Sequence, residues 1–192
     1  MKNLCICNLL VLSIISFVAG CNAKSSSPDV ASKTRYTRFN VHVYTRGNDV
    51  LVGSAISYYA AQNHSMVPYN TAVTIDKYRM GIILNVTATG RKIYFECPGK
   101  WINEMPATEY IELITSDQAV QYNDLSEIDK KGIASGSPFV GMSKQGIMIA
   151  LGYPAPSYTP SPDTNEWVYW RNRFTKATIC FENNKVVSFN GK

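Results

Sequence analysis

The sequence predicts an α+β protein with two folded units. Strand-like runs separated by turn residues fill residues 41–97. Apolar residues at helical spacing follow Pro106 and recur over residues 124–151, and three more strand-like runs close the chain. A chain of 192 residues is long enough for one domain or two small ones.

The first twenty residues have the pattern of a secretion signal. Lys2 gives a short positive start, and Leu4 to Val18 form an apolar stretch too short to span a bilayer comfortably. Ala19-Gly20 stands directly before Cys21, an arrangement that resembles the lipobox of bacterial lipoprotein precursors, whose cleavage leaves an acylated cysteine. We therefore expect residues 1–20 to be removed and acyl chains on Cys21 to hold the mature protein on a membrane. An ordinary cleaved signal followed by a chance cysteine is the alternative.

The residues after Cys21 predict the location and a tether. Asn22 occupies the place where an aspartate would resemble an inner-membrane retention signal. We therefore expect the outer membrane, with the protein facing the periplasm. Residues 21–38 are mostly small and polar, so they predict a flexible tether between the acyl chains and the folded body.

The charge balance bears on the possible partners. The formal net charge is +5, and Lys2 is the only charged residue of the signal, so the mature chain stays mildly basic. Lys and Arg are scattered without the dense stripe that phosphate neutralisation needs, so we expect no nucleic-acid partner. A basic face near anionic lipid headgroups is compatible with this charge, and so is a generic solvated surface.

Two cysteines besides Cys21 remain after processing. Cys97 and Cys180 could form a disulfide in an oxidising periplasm, which would contribute roughly 4 kcal/mol in the chain-entropy model. Two separate thiols packed as small apolar groups are the favoured alternative. Neither His42 nor His64 lies beside them at a metal-ligand spacing, so we expect no metal site and no cofactor.

Residues 39–118 are expected to form a small antiparallel β-barrel with a closing helix. Five strand-like runs support it: Val41 to Thr45, Ser54 to Ala60, Val73 to Ile75, Ile82 to Thr87 and Lys92 to Glu96. Five short strands in about 60 residues suit an SH3-like barrel, whose closure limits exposed edges. Pro106 then opens a helix whose apolar face would comprise Tyr110, Ile111, Leu113 and Ile114.

Residues 119–192 are expected to form the second unit. The composition turns polar around residues 116–123, which predicts a boundary there. Asp124 and Glu127 have the spacing of a capping box, so a helix is expected from this point to about Ala134, with Leu125 and Ile128 inward.

The next helix has signals at both ends. Ser143 can cap its start, and Met142 with Ile147 can form a hydrophobic staple across that cap. Gly152 supplies a left-handed residue at its end, and Pro154 prevents continuation. We expect a short helix of about two turns.

Three antiparallel strands are expected after a proline-rich loop of residues 153–163. Their predicted ranges are Glu166 to Phe174, Lys176 to Glu182 and Lys185 to Phe189. Asn183-Asn184 suits a tight turn, because asparagine tolerates positive φ. Alternation predicts one helix-covered face that comprises Trp167, Tyr169, Ile179, Phe181, Val187 and Phe189.

The second unit resembles the SmpA/OmlA lipoproteins, the group that contains BamE. The residues that carry the resemblance are Gly141-Met142-Ser143-Lys144, Leu151-Gly152-Tyr153-Pro154 and Asn165-Glu166-Trp167-Val168-Tyr169, with the strands of Phe181 and Val187. Gly146 stands where the family has a better helix former, and residues 40–120 precede the match. The resemblance implies a BamE-like unit of two helices and three strands, in a non-catalytic accessory subunit that acts by protein contact.

A sheet covered by helices on one face leaves its other face and an edge for partners. On this chain strand alternation would place Val168, Trp170, Asn172 and Phe174 there, as candidate contacts for an envelope protein. Burial of Trp170 against the barrel or the proline-rich loop is the alternative.

Other functions have weaker support in the sequence. Nucleophile-elbow, zinc-protease and phosphate-loop motifs are missing, so we expect no enzyme. A second interpretation gives the barrel a peptidoglycan or cell-wall fragment as ligand, in a groove lined by Tyr58, Tyr59, Tyr69 and Tyr78. Cross-strand packing is the alternative role of these tyrosines.

Overall fold

The computed structural model describes residues 33–47, 50–54, 65–78, 81–96, 105–172 and 174–190. These residues form three helices and two sheets, which confirms the α+β class. The first sheet has eight strands: β1 (Arg35–Thr37), β2 (Val41–Arg46), β3 (Val50–Ser54), β4 (Ser65–Val67), β5 (Ala72–Tyr78), β6 (Gly81–Val86), β7 (Lys92–Glu96) and β8 (Thr115–Ser116). The signal, Cys21 and the expected strand beyond Ser54 lie outside the described residues.

The first sheet is curled into a half-barrel. Its strand order is β4-β2-β3-β7-β6-β5-β1-β8, and only β3 and β7 pair in parallel. β1 and β2 are joined by residues 38–40 alone, although four other strands lie between them in the sheet. In a flat sheet they would be roughly 24 Å apart, whereas this connection can reach at most about 15 Å. The sheet must therefore curl.

This sheet differs from the predicted SH3-like barrel in three respects. Among the described residues it has eight strands instead of five, it contains a parallel pair, and its strand order ends at β4 and β8. Four described strands were not predicted: β3, which overlaps a predicted run only at Ser54, and β1, β4 and β8, which have at most three residues each and are too short to show an alternation of their own. The parallel pairing of β3 with β7 joins strands about 40 residues apart in the sequence. No local pattern predicts this pairing.

Helix α1 (Ala107–Ile114) packs against the buried face of the half-barrel. It begins after Pro106, as predicted, and Tyr110, Ile111 and Ile114 are at most 3% exposed. The rings of Tyr110 and Phe95 of β7 lie 6.0 Å apart between centroids. The predicted apolar face of this helix is therefore confirmed for these three residues, whereas its fourth predicted member, Leu113, is only half-buried.

Strand β1 lies inside the predicted tether of residues 21–38, which corrects the end of that segment. Arg35 is only 5% exposed. Its guanidinium donates hydrogen bonds to Thr115 Oγ1 at 2.7 Å, to Glu112 Oε2 at 2.6 Å and to Asp117 Oδ1 at 3.0 Å. A buried guanidinium needs such acceptors, and here they come from residues about 80 positions away. The polar composition of this segment therefore gave no local sign of the ordered strand.

The second unit begins with helix α2 (Glu127–Ser135), whose cap differs from the prediction. Ser126 Oγ accepts a hydrogen bond from Asp129 N, and the Asp129 carboxylate accepts one from Ser126 N. Asp124 instead has a φ of 63° and lies in a turn before the helix. The pairs Asp124–Glu127 and Ser126–Asp129 both have the spacing of three residues that a capping box requires, and the second pair forms the cap.

Helix α3 (Lys144–Leu151) is confirmed at both ends. Ser143 Oγ accepts a hydrogen bond from Gly146 N at 2.9 Å, and Met142 and Ile147 are fully buried on either side of the cap. Gly152 has a φ of 83° and a ψ of −165°, a conformation that favours glycine but is not the left-handed helical one, and its N–H closes the last turn on Met148 O.

The carboxylate of Asp129 joins the starts of both helices. Asp129 is 2% exposed, and its Oδ1 accepts hydrogen bonds from Ser143 N at 2.7 Å and Ser143 Oγ at 3.1 Å. A Cβ on Gly146 would overlap Asp129 Oδ1 and lie 2.7 Å from its Cγ. This contact explains why a glycine occupies the interior of α3. Burial alone would raise the pKa of Asp129, but the hydrogen bonds from Ser126 and Ser143 outweigh it and hold the pKa below its ordinary value.

The second sheet is the expected antiparallel meander, β9 (Glu166–Trp170), β10 (Lys176–Glu182) and β11 (Lys185–Asn190), in the order β11-β10-β9. Asn183 and Asn184 form the tight turn between β10 and β11, with φ values of 49° and 61°. β9 ends at Trp170, four residues earlier than predicted.

The inward face of this sheet is confirmed in two strands and differs in the third. Four predicted residues are at most 3% exposed: Trp167, Tyr169, Ile179 and Phe181. The pairing of β10 with β11 shifts between Cys180 and Phe181, so that Val186 is buried while Val187 is 42% exposed. Phe189 pairs with Ile179 but is 40% exposed, at the open edge of the sheet. The register shift inserts one extra residue into β11, so the residues beyond it exchange faces of the sheet. Simple alternation along the sequence does not predict this.

The two units share buried hydrogen bonds. Asn40 is 2% exposed, and its side chain donates to Ile133 O in the last turn of α2 at 2.7 Å. Asn40 N donates to Ile149 O at 2.8 Å, and His42 Nε2 lies 2.8 Å from Ala150 O, both in the last turn of α3. The half-barrel thus satisfies helix-end carbonyls of the second unit, across the predicted boundary.

Candidate interaction surface

The outer face of the second sheet carries the first two predicted contacts. Trp167 and Tyr169 belong to the core formed with α3, so alternation directs Val168 and Trp170 to the opposite face. Both are half-buried.

The proline-rich loop of residues 153–163 covers the edge of β9 at Val168. Ala155 N donates to Val168 O at 2.9 Å, and Val168 N donates to Thr159 Oγ1 at 2.9 Å. Both backbone groups of this edge residue are therefore bonded within the chain. The expectation of a free edge is wrong at this position, because the loop folds back along the strand.

Trp170 forms an aromatic cluster with the same loop. Its ring packs edge to face on Tyr158 with centroids 5.8 Å apart. Lys176, opposite Trp170 in β10, places Nζ 4.0 Å from the Tyr158 centroid and 5.6 Å from the Trp170 centroid. Contact with the proline-rich loop explains part of the burial of Trp170, and Tyr158 remains 47% exposed beside it.

Asn172 and Phe174 lie beyond the end of β9, so they do not continue its outer face. The Asn172 side-chain oxygen accepts hydrogen bonds from Phe174 N and Thr175 N, both at 2.9 Å. Such a side-chain bond closes a turn and ends the strand. Phe174 stands on this turn with 82% of its surface exposed. The four predicted contacts therefore occupy two places, the sheet face and the turn at its end.

A groove that the sequence did not predict runs between α1 and the proline-rich loop. It is a cavity of about 430 Å³, and a second cavity of about 390 Å³, which shares Leu113 and Tyr153 with it, extends toward Arg38, Tyr122 and Met148. Prolines of the loop form one wall: Pro154, Pro156, Pro160 and Pro162. The walls are about 40 residues apart in the chain, and no local pattern relates them.

The four tyrosines proposed to line a ligand groove are only partly described. Tyr58, Tyr59 and the side chain of Tyr78 lie outside the described part of the chain. Tyr69 packs edge to face on Tyr122 with centroids 5.9 Å apart, and both contact the core of the second unit. Tyr69 therefore has a packing role between the two units.

Few groups with catalytic chemistry come together. Within the described residues, no cluster of three or more His, Cys, Asp or Glu side chains could hold a metal ion. Cys180 is a half-buried free cysteine, and Cys97 lies outside the described residues. Desolvation raises the pKa of the buried Tyr169 hydroxyl well above its ordinary value, and that hydroxyl donates to Gly152 O at 3.1 Å. The Tyr169 hydroxyl thus has a structural partner.

Comparisons with known proteins give this chain no relative: no family model, no curated protein and no solved structure matches it. In the described part of the chain, no helix is both long and apolar enough to cross a membrane.

Proposed function

We propose that this protein is a bacterial envelope lipoprotein, anchored in the outer membrane by acyl chains on Cys21 and facing the periplasm. Its folded body is a non-catalytic module that binds an envelope protein or assists assembly. The basis for the anchor is the arrangement of a short apolar signal, Ala19-Gly20 and Cys21.

The second unit supports a relationship to the SmpA/OmlA lipoproteins. Its elements follow in the order α2, α3, β9, β10, β11, with the strands in one antiparallel meander. The residues of the resemblance provide the cap of α3 at Ser143, its end at Gly152 and the buried Trp167 of β9. We propose a BamE-like arrangement on this basis.

The observation that carries the interaction role is the half-exposed pair of Trp170 and Tyr158 on the sheet face away from the helices. Aromatic side chains that are already held by packing lose little freedom on binding, and they commonly dominate contact energies. The pair lies next to Val168, whose backbone is satisfied by the loop, so a partner would meet a preformed surface.

Two experiments test this proposal. Mass spectrometry of the mature N-terminal peptide should find acyl chains on Cys21, and Cys21→Ser should abolish them; an unlipidated wild-type peptide would refute the anchor. For the partner, a photocrosslinking residue at Trp170 in intact cells should capture a defined envelope protein. The same residue at Phe189, on the other edge of the sheet, is the control and should not capture it. Equal capture at both positions would refute the assignment to this surface.

A further inference from the structure

The turn between β9 and β10 exposes an apolar side chain at the end of the second sheet. Phe174 is 82% exposed, more than any other large apolar side chain of the described residues. Asn172 fixes the turn by accepting the backbone N–H groups of Phe174 and Thr175. The phenyl ring is therefore held out on a closed turn.

Positive charge surrounds this turn. Arg171 precedes Phe174 in the turn and Lys176 follows it at the start of β10. The sequence from residue 167 to 181 contains no Asp or Glu. Glu166 lies at the other end of β9, four residues from Trp170, or about 13 Å along the strand. The acidic groups of the sheet are thus remote from the turn.

Tyr158 and Trp170, the pair proposed to contact a protein, lie beside this turn. Lys176 Nζ lies over both rings, so its ammonium group is held at the border between apolar rings and solvent. An exposed Phe between two basic side chains at one end of a domain has the composition of a membrane-interface contact.

We propose that this tip, formed by Arg171, Phe174 and Lys176, is a second membrane contact that binds anionic phospholipid. Phe174 enters the interfacial region of the bilayer, and the cations of Arg171 and Lys176 lie among the phosphate groups. The charge of the tip complements this surface and the exposed ring complements its apolar layer.

This inference adds to the proposed function, which places the chain on a membrane. Cys21 and the first described residue, Lys33, are twelve positions apart, so the intervening chain spans at most about 43 Å when fully extended. An acylated Cys21 would therefore hold the start of the folded body within this distance of the bilayer and raise the effective concentration of its surfaces there. The tip would then orient the folded body on the membrane.

The test uses the mature chain, residues 21–192, with Cys21→Ser, so that vesicle binding cannot come from acyl chains. We expect cosedimentation with vesicles of phosphatidylglycerol and phosphatidylethanolamine, weaker at high salt, and little binding to phosphatidylcholine vesicles. Phe174→Ser should weaken binding about tenfold, and Lys176→Gln about fivefold.

Matched substitutions elsewhere provide the controls. Val140→Ser removes another exposed apolar side chain, 59% exposed, and Lys185→Gln removes another exposed cation. Neither should change vesicle binding by more than about twofold. Equal losses in the control and tip variants, or no binding to anionic vesicles, would overturn the inference. Loss of a protein crosslink in Phe174→Ser with unchanged vesicle binding would also overturn it and assign the tip to a protein. Each result is independent of whether wild-type Cys21 is acylated.

Discussion

Substituting Gly146 by alanine should destabilise the protein, although alanine is the better helix former. In an exposed helix interior this change stabilises by about 1 kcal/mol. Here the new Cβ would overlap Asp129 Oδ1, which accepts hydrogen bonds from Ser143 N and Ser143 Oγ. The carboxylate must move, and two hydrogen bonds to a charged acceptor contribute about 1.5 to 3 kcal/mol each. The net loss should be about 2 to 5 kcal/mol.

Urea unfolding followed by tryptophan fluorescence measures this change, and a thermal melt should fall by about 5 to 15 °C. Asp129→Ala should also destabilise, because it removes the same bonds. The double variant should lose clearly less stability than the sum of the two single losses, because both substitutions remove the same hydrogen bonds between Asp129 and Ser143. Gln145→Ala, at an exposed site of the same helix, should change stability by less than about 0.5 kcal/mol. A more stable Gly146→Ala protein would refute the contact between α3 and Asp129.

Three further predictions concern stability. The pKa of Asp129 is lower in the folded than in the unfolded state, so its contribution to the free energy of unfolding is complete above the unfolded-state pKa of about 3.9 and is lost as the pH falls through the lower folded-state pKa. Asp129→Asn should therefore reduce the loss of unfolding free energy at acidic pH. An unchanged acid dependence would contradict this. Asn40→Ala leaves Ile133 O without its side-chain donor at 2.7 Å and should lower the free energy of unfolding by about 1 to 3 kcal/mol. It should also increase proteolysis between residues 117 and 126, and an unchanged digestion pattern would disprove this. Trp167→Ala, at a site 1% exposed, should cost about 3 to 5 kcal/mol by urea unfolding, and a loss below about 1 kcal/mol would place this ring outside the core.

Features that depend on neighbours within about four residues could be predicted from the sequence. The cap of α3 at Ser143, its end at Gly152 and the turn at Asn183-Asn184 all occur as predicted. Each is decided by a side chain or a backbone preference acting on adjacent peptide groups. The buried face of α1 after Pro106 follows from the period of a helix in the same way.

The choice between equivalent local signals required the tertiary structure. Asp124 and Ser126 both satisfy the spacing rule for a cap, and Ser126 caps α2 while its partner Asp129 also binds Ser143. The bulge between Cys180 and Phe181 similarly reverses the faces of Val186 and Val187. The local signals do not distinguish these alternatives, and the structure shows that contacts from elsewhere in the fold, such as that between Asp129 and Ser143, accompany the choice.

The candidate surfaces show the same division. Alternation in β9 correctly placed Trp170 opposite Trp167, but the covering of Val168 by Thr159 depends on how a proline-rich loop folds back. The lipidation of Cys21 remains a prediction from the signal sequence alone. The sequence by itself determined the fold class, the helices and the turns, because their energies are local. The curl of the first sheet, the strand formed around Arg35 and the groove beside α1 were decided only in three dimensions, since they join residues tens of positions apart whose pairing has no local signature.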